Sequence, residues 1–145
     1  MNYRHLKKIK CFQRGGKSKS VYLMEKEIVK KSYRSDDPKQ IKRFKKEVKI
    51  LQHLQKQKCP FVPKLLHVDP KRHLIYMTYT GTSLNNTIEH RRGLADQVKE
   101  LHLKYGVMRH RNGAPNYHIY ISNGTIKDGQ IYVIDFGSPH YKLLN

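Results

Sequence analysis

The sequence has no tryptophan, two cysteines, and only 11 acidic residues against 30 basic ones. Each scarcity excludes something. Cys11 and Cys59 are too few for a disulfide framework and too far apart for the paired spacing of a zinc site. They read as reduced thiols of an intracellular protein, in cytoplasm or nucleus. No apolar run approaches the roughly 20 residues that cross a bilayer. The opening Met1-Asn-Tyr-Arg-His-Leu-Lys-Lys8 lacks the apolar segment of a secretory leader, so no membrane is expected among the partners. There is no internal repeat, no low-complexity linker, no Walker lysine loop and no nucleophile elbow. A length of 145 residues suits one domain, 1–145, with a modest core.

The shortage of acids leaves a formal net charge of +19, and the charge is lopsided. Residues 1–58 carry 19 Lys/Arg against 5 Asp/Glu; the remainder carries 11 against 6. Such a field attracts polyanions: nucleic acid, nucleotide or an acidic protein partner. A lysine-rich solvated surface is the plain alternative. No aromatic-interleaved basic motif or recognition helix accompanies the charge.

Hydrophobic periodicity divides the chain. Ile9–Phe12 and Val21–Met24 read as strands joined by Arg14-Gly-Gly-Lys-Ser-Lys-Ser20, and Ile28 starts a third strand after the turn Glu25–Glu27. Asp37 and Pro38 form a helix-start signal. Ile41, Phe44, Val48 and Leu51 then mark one face of a helix reaching about Gln55. Leu65–Val68 and His73–Tyr79 read as strands around the turn Asp69–Arg72, and Thr80–Thr82 as a linker. Ser83 to about Tyr105 reads mainly as helix, with a break at Gly93 and a cap at Gly106. Residues 117–121 and 130–134 read as a closing hairpin. The fold class is therefore α+β.

One tripeptide gives this order a further meaning. Ile131-Tyr-Val-Ile-Asp-Phe-Gly137 delivers Asp-Phe-Gly from an apolar strand, and earlier stretches fall into a matching series. Arg14–Tyr22 resembles the glycine-rich loop of protein kinases, Glu27–Lys30 the strand with the phosphate-binding lysine, Phe44–Leu51 the helix with its glutamate partner, and Leu74–Leu84 the hinge. The chain thus resembles a minimal protein-kinase-like domain over nearly all of residues 9–140. The resemblance implies an antiparallel first lobe (about 1–79) with a helix of the αC type, a hinge (80–82), and a reduced second lobe (83–145) of one main helix and a β-hairpin. It implies ATP and Mg2+ as ligands. The ATP-binding positions would be Gly15, Gly16, Lys17, Ser18, Lys30, Glu47, Met77, Thr78 and Thr80, and the metal ligands Asn116 and Asp135. Lys30 is favoured over Lys31 because the family often has a second lysine after the functional one; the two must face opposite sides of the strand. Glu47 is the only acid between Pro38 and Val68, which calls for a partner.

The resemblance fails at the catalytic loop. The family needs His-Arg-Asp-x-x-x-x-Asn, and this chain has Arg109-His-Arg-Asn-Gly-Ala-Pro-Asn116. If Asn116 is the metal ligand, Arg111 replaces the catalytic Asp. If His110-Arg111 matches His-Arg, Asn112 replaces it and Tyr117 takes the metal position. Neither register leaves a carboxylate, and His110 and His118 read as structural. Eight residues follow Gly137, so no activation segment of the usual kind is expected. The implied function is a pseudokinase that binds ATP and acts as a scaffold or assembly component. An active atypical phosphotransferase is the second reading. The third is a basic structural protein associated with nucleic acid or a virion, large DNA viruses being one setting for such stripped kinase relatives. The uncovered underside of a reduced second lobe implies a protein partner or self-association.

Overall fold

The alternating stretches of the first half pair into one antiparallel sheet. The computed structural model describes residues 1–13 and 19–144. In it β1 (Lys8–Gln13), β2 (Lys19–Met24), β3 (Ile28–Tyr33), β4 (Leu65–Asp69) and β5 (Leu74–Thr78) lie in the order β1-β2-β3-β5-β4. The reversal between β2 and β3 is tight enough to hold Lys26 and Glu27 in left-handed backbone, at φ 62° and 54°. The predicted loop positions Gly15, Gly16, Lys17 and Ser18 lie outside the described residues.

Helix α1 (Pro38–Lys56) crosses between β3 and β4. It starts as its sequence predicts: the Asp37 carboxylate accepts the Lys39 N–H at 3.0 Å, with Pro38 in the first turn. Its buried face is turned from the expected one. Gln40, Phe44, Glu47, Ile50, Leu51 and Leu54 are buried, whereas Ile41 and Val48 are only half-buried. Two polar side chains inside the stripe hid its centre from an apolar count.

The middle of the sheet is covered on both faces, while β1 at its edge stays exposed. Val29, Tyr33, Ile75 and Met77 join Phe44, Leu51 and Leu54 in the main core, which continues into Leu94, Val98, Leu101, Val133 and Phe136. On the opposite face Met24, Ile28, Leu74 and Tyr76 pack with Leu6 under Tyr3.

The second half departs further from expectation. Thr82–Ser83 is a short strand, β6, and α2 (Ile88–Tyr105) begins only where the Thr87 hydroxyl accepts the His90 N–H. Gly93 does not break α2. It makes room for Ile131, whose Cδ1 would lie 2.5 Å from a β-carbon at that position. Gly93→Ala therefore sets about 1 kcal/mol of helix propensity against displacement of that side chain. It should stabilise an Ile131→Val background more than the wild type, which thermal melts of the four proteins would measure.

Beyond Gly106, which caps α2 at φ 71°, the expected loop is a hairpin. β7 (Val107–Arg111) turns through Asn112-Gly113, both at positive φ, into β8 (Ala114–Pro115). Residues 117–121 are not a strand. The following hairpin pairs β9 (Gly124–Lys127) with β10 (Gln130–Val133) around Asp128-Gly129, again a two-residue left-handed turn. β9 also pairs with β6, and β11 (Tyr141–Leu143) pairs with β7. The molecule is α+β with antiparallel sheets.

Candidate functional site

The chain leaves β10 through Ile134 and must place an acid and then a phenyl ring. Asp135 takes a left-handed backbone at φ 74°, uncommon for a non-glycine residue. That twist turns its carboxylate out of the core while Phe136 enters it fully. The Ile134 N–H donates to the Asn123 carbonyl at 3.0 Å, and the Phe136 N–H donates to Glu47 Oε2 at 2.8 Å, fixing the turn on both sides.

Glu47 is 1% exposed and fully engaged. Besides the Phe136 N–H it accepts the Tyr33 hydroxyl at 2.7 Å and the Lys31 ammonium at 2.7 and 3.0 Å. Lys31 also donates to Asp135 Oδ1 at 2.8 Å, and Lys19 reaches the same oxygen at 2.6 Å. Strand β3, helix α1 and the Asp-Phe-Gly turn therefore meet at one buried ammonium. Burial opposes the charge of Lys31, but Glu47, Tyr33 and Asp135 outweigh it and hold its pKa well above the usual lysine value. Burial likewise opposes ionisation of Asp135, and the Lys31 and Lys19 ammoniums overcome it, holding the carboxyl well below the usual range.

A carboxyl with so depressed a folded-state pKa contributes stability above its unfolded value near 4, and that contribution is lost as pH falls below it. Asp135→Asn should accordingly flatten the acid limb of a stability–pH profile below about pH 4.

The lysine prediction needs correction. Lys30 faces the other side of β3, with its pKa lowered by burial and by Lys8, and the partner of Glu47 is Lys31. Alternation put the two lysines on opposite faces, as expected. What decides between them is Tyr33, two residues beyond Lys31 on the same face, whose hydroxyl binds the same carboxylate.

Gly137 continues the arrangement by close approach. A β-carbon there would lie 2.6 Å from the Tyr33 hydroxyl and 3.1 Å from the Arg43 carbonyl. Gly137→Ala should cost about 1–3 kcal/mol, and less in a Tyr33→Phe background, where the hydroxyl is gone; urea unfolding of both pairs would read the difference.

Other predicted positions are not brought to this network. Met77 is buried in the sheet core. The expected hinge groups are largely used within the chain. The Thr78 N–H donates to the Lys64 carbonyl at 2.9 Å and the Tyr79 N–H to the Glu27 carbonyl at 3.1 Å. The Thr80 carbonyl accepts the Thr125 hydroxyl at 2.7 Å. Arg111 and Asn112 are exposed on the β7–β8 hairpin, so neither register of the expected catalytic loop survives as a loop. Asn116 turns its side-chain oxygen to the His118 N–H at 3.2 Å. The asparagine that leads directly into the strand before the Asp-Phe-Gly hairpin is Asn123. It lines a cleft with Asp135 and was missed because the hairpin was placed too early. Asp128-Gly129, a two-residue hairpin signal, would have set the register.

That cleft, of about 240 Å³, is walled by Lys19, Arg43, Arg109 and His140 against Asp135, its only carboxylate among the described residues. Arg109 is buried, donates from Nη1 to the Ser138 hydroxyl at 3.1 Å, and leaves its Nε without a partner. The two residues expected to hold Mg2+ are both engaged within the chain. One Asp135 oxygen already accepts two ammoniums, the Asn116 side-chain oxygen accepts the His118 N–H, and no group of three His, Cys, Asp or Glu that could hold a metal ion occurs among the described residues. Cys11 and Cys59 are both free, and burial pushes the Cys59 thiol up to about 11, which makes it unreactive. No helix among the described residues is long and apolar enough to cross a membrane. Compared with protein-family models and with curated proteins, the chain matches none.

Proposed function

We propose that the chain is a kinase-like domain that binds the phosphates of a nucleotide and does not transfer them, acting through what it holds rather than through turnover. The observation that carries this reading is the meeting of a strand lysine, a helix glutamate and the aspartate of Asp-Phe-Gly: the Glu47 and Asp135 carboxylates both lie within 3.0 Å of the single Lys31 ammonium. Five antiparallel strands with one helix between the third and fourth support the same reading. Against transfer stands the chemistry of the cleft. A general base needs a pKa near the working pH, and Asp135 is held far below it. Among the described residues lining the cleft, His140 is the one imidazole, and burial together with Arg109 lowers its pKa from the ordinary histidine value.

A nucleotide at 100 times its dissociation constant stabilises by about 2.7 kcal/mol, or several degrees of melting temperature for a chain of this size. ATP should produce that rise in the wild type and in Lys30→Met, and not in Lys31→Met. Equal responses in the two lysine variants would overturn the assignment.

A second reading, a polyanion-binding assembly protein, is favoured by a separate observation. Lys39, Lys42, Lys45, Lys49 and Lys56 form an exposed row along α1, away from the cleft. Affinity for duplex DNA should then fall steeply with salt. Replacing Lys39, Lys42, Lys45 and Lys49 with Gln should reduce the log–log slope by about 0.9 for each phosphate contact removed. An unchanged slope would place the contact elsewhere.

A further inference from the structure

We propose that the cleft beside Asp135 takes phosphate groups directly, without a divalent metal, and that the Lys19 ammonium stands where a metal ion would otherwise join Asp135 to the phosphates. The inference rests on the nucleotide reading of the cleft and names the cation that serves it.

Charge and geometry both point this way. Magnesium sheds its water reluctantly and is usually held by one or two carboxylates together with the substrate phosphates. Asp135 is the cleft's only carboxylate among the described residues, and its Oδ1 already has Lys19 at 2.6 Å and Lys31 at 2.8 Å. A metal ion would have to expel Lys19 and then sit among the permanent charges of Arg43 and Arg109 as well. A phosphate meets the opposite situation. It can accept from Lys19 without breaking the Lys31–Glu47 pair, because an ammonium carries three donors.

Arg109 supplies an independent argument. Its side chain is 8% exposed, it has no carboxylate partner among the described residues, and one guanidinium nitrogen has no hydrogen bond at all. The ring of Tyr141, 5.3 Å away, covers one of its faces. A buried cation is costly until an anion completes it. An incoming phosphate would supply that anion, and an incoming metal ion would make the imbalance worse.

The experiment uses the full chain in thermal melts at constant ionic strength, with ATP or with inorganic triphosphate, each in magnesium and in EDTA. The expected result is a rise in melting temperature in EDTA at least as large as in magnesium, for both ligands. Lys19→Met should weaken the EDTA response by about tenfold in affinity, the value of one charge-assisted hydrogen bond. It should also make the remaining ATP response magnesium-dependent, because one of the two ammoniums then leaves Asp135. Lys8→Met, which removes an equal charge from exposed β1, should leave the response unchanged. A wild-type ATP response that disappears in EDTA would overturn the proposal while leaving the nucleotide reading intact. A response to triphosphate but not to ATP would keep the metal-free phosphate site and overturn the nucleotide. No response to either ligand would overturn both, and an EDTA response unaltered by Lys19→Met would remove Lys19 from the site.

Discussion

Glu47→Ala should lower the melting temperature by roughly 10–20 °C. Removing one member of a buried ion pair costs about 3–5 kcal/mol, because the other charge stays behind without its partner. Each kcal/mol is worth about 2–8 °C across domains near this size. Here the loss reaches three groups at once. Lys31 keeps only Asp135, the Tyr33 hydroxyl loses its acceptor, and the Phe136 N–H is left buried without one. Glu47→Gln keeps the volume and a carbonyl acceptor, so it should fall between the wild type and alanine. Thermal and urea melts would check the order. A loss near 1 kcal/mol for alanine would mean that water or a shifted Lys31 replaces the carboxylate, and that the network is looser than its distances indicate.

The second large effect separates two adjacent lysines. Lys31→Met removes the ammonium that joins Glu47 to Asp135 and leaves two carboxylates facing each other across the space it filled. It should cost about 3–5 kcal/mol at neutral pH. Lys30→Met, one residue away, replaces a half-buried lysine whose charge is opposed by burial and by Lys8. It should be neutral or slightly stabilising, within about 0.5 kcal/mol. The pair is informative because composition, charge and distance along the chain barely change between the two variants; only the face of β3 differs. Equal costs would contradict the assignment of Lys31 to the network.

Much of the first half was readable in the sequence because its signals are local. Strand alternation, the Asp37-Pro38 start of α1 and the tight reversal at Glu25–Glu27 are decided within a few residues. Glu47 was readable for a different reason. A single acid in a long basic stretch has few explanations, and burial opposite a lysine is one of them. The choice of lysine was not local. Alternation fixes that Lys30 and Lys31 diverge, but only packing decides which face meets α1, and Leu6 and Tyr3 cover the other face from far away in sequence.

The second half misled because its strands do not look buried. Arg109-His-Arg111 reads as a solvated loop, yet β7 is pinned between α2 and β11 and buries Arg109. Asn112-Gly113 carried the hairpin signal, but its flanks lack the alternating apolar residues that usually accompany it. Propensity alone predicts a helix break at Gly93; the reason for the glycine is the Ile131 side chain from β10. Asn123 became visible as a cleft residue only once the Asp128-Gly129 turn fixed the register of the hairpin leading to Asp135.

Equilibrium dialysis of γ-labelled ATP, against the wild type and Lys31→Met, tests the central claim most directly, because one experiment reads both binding and the fate of the label. The account predicts saturable binding by the wild type, its loss in Lys31→Met, and label recovered as intact ATP. Absence of saturable binding, or equal binding by the two proteins, would contradict the phosphate site built on Lys31, Glu47 and Asp135. Label released or transferred faster than in buffer would contradict the non-catalytic half of the account and turn attention to His140.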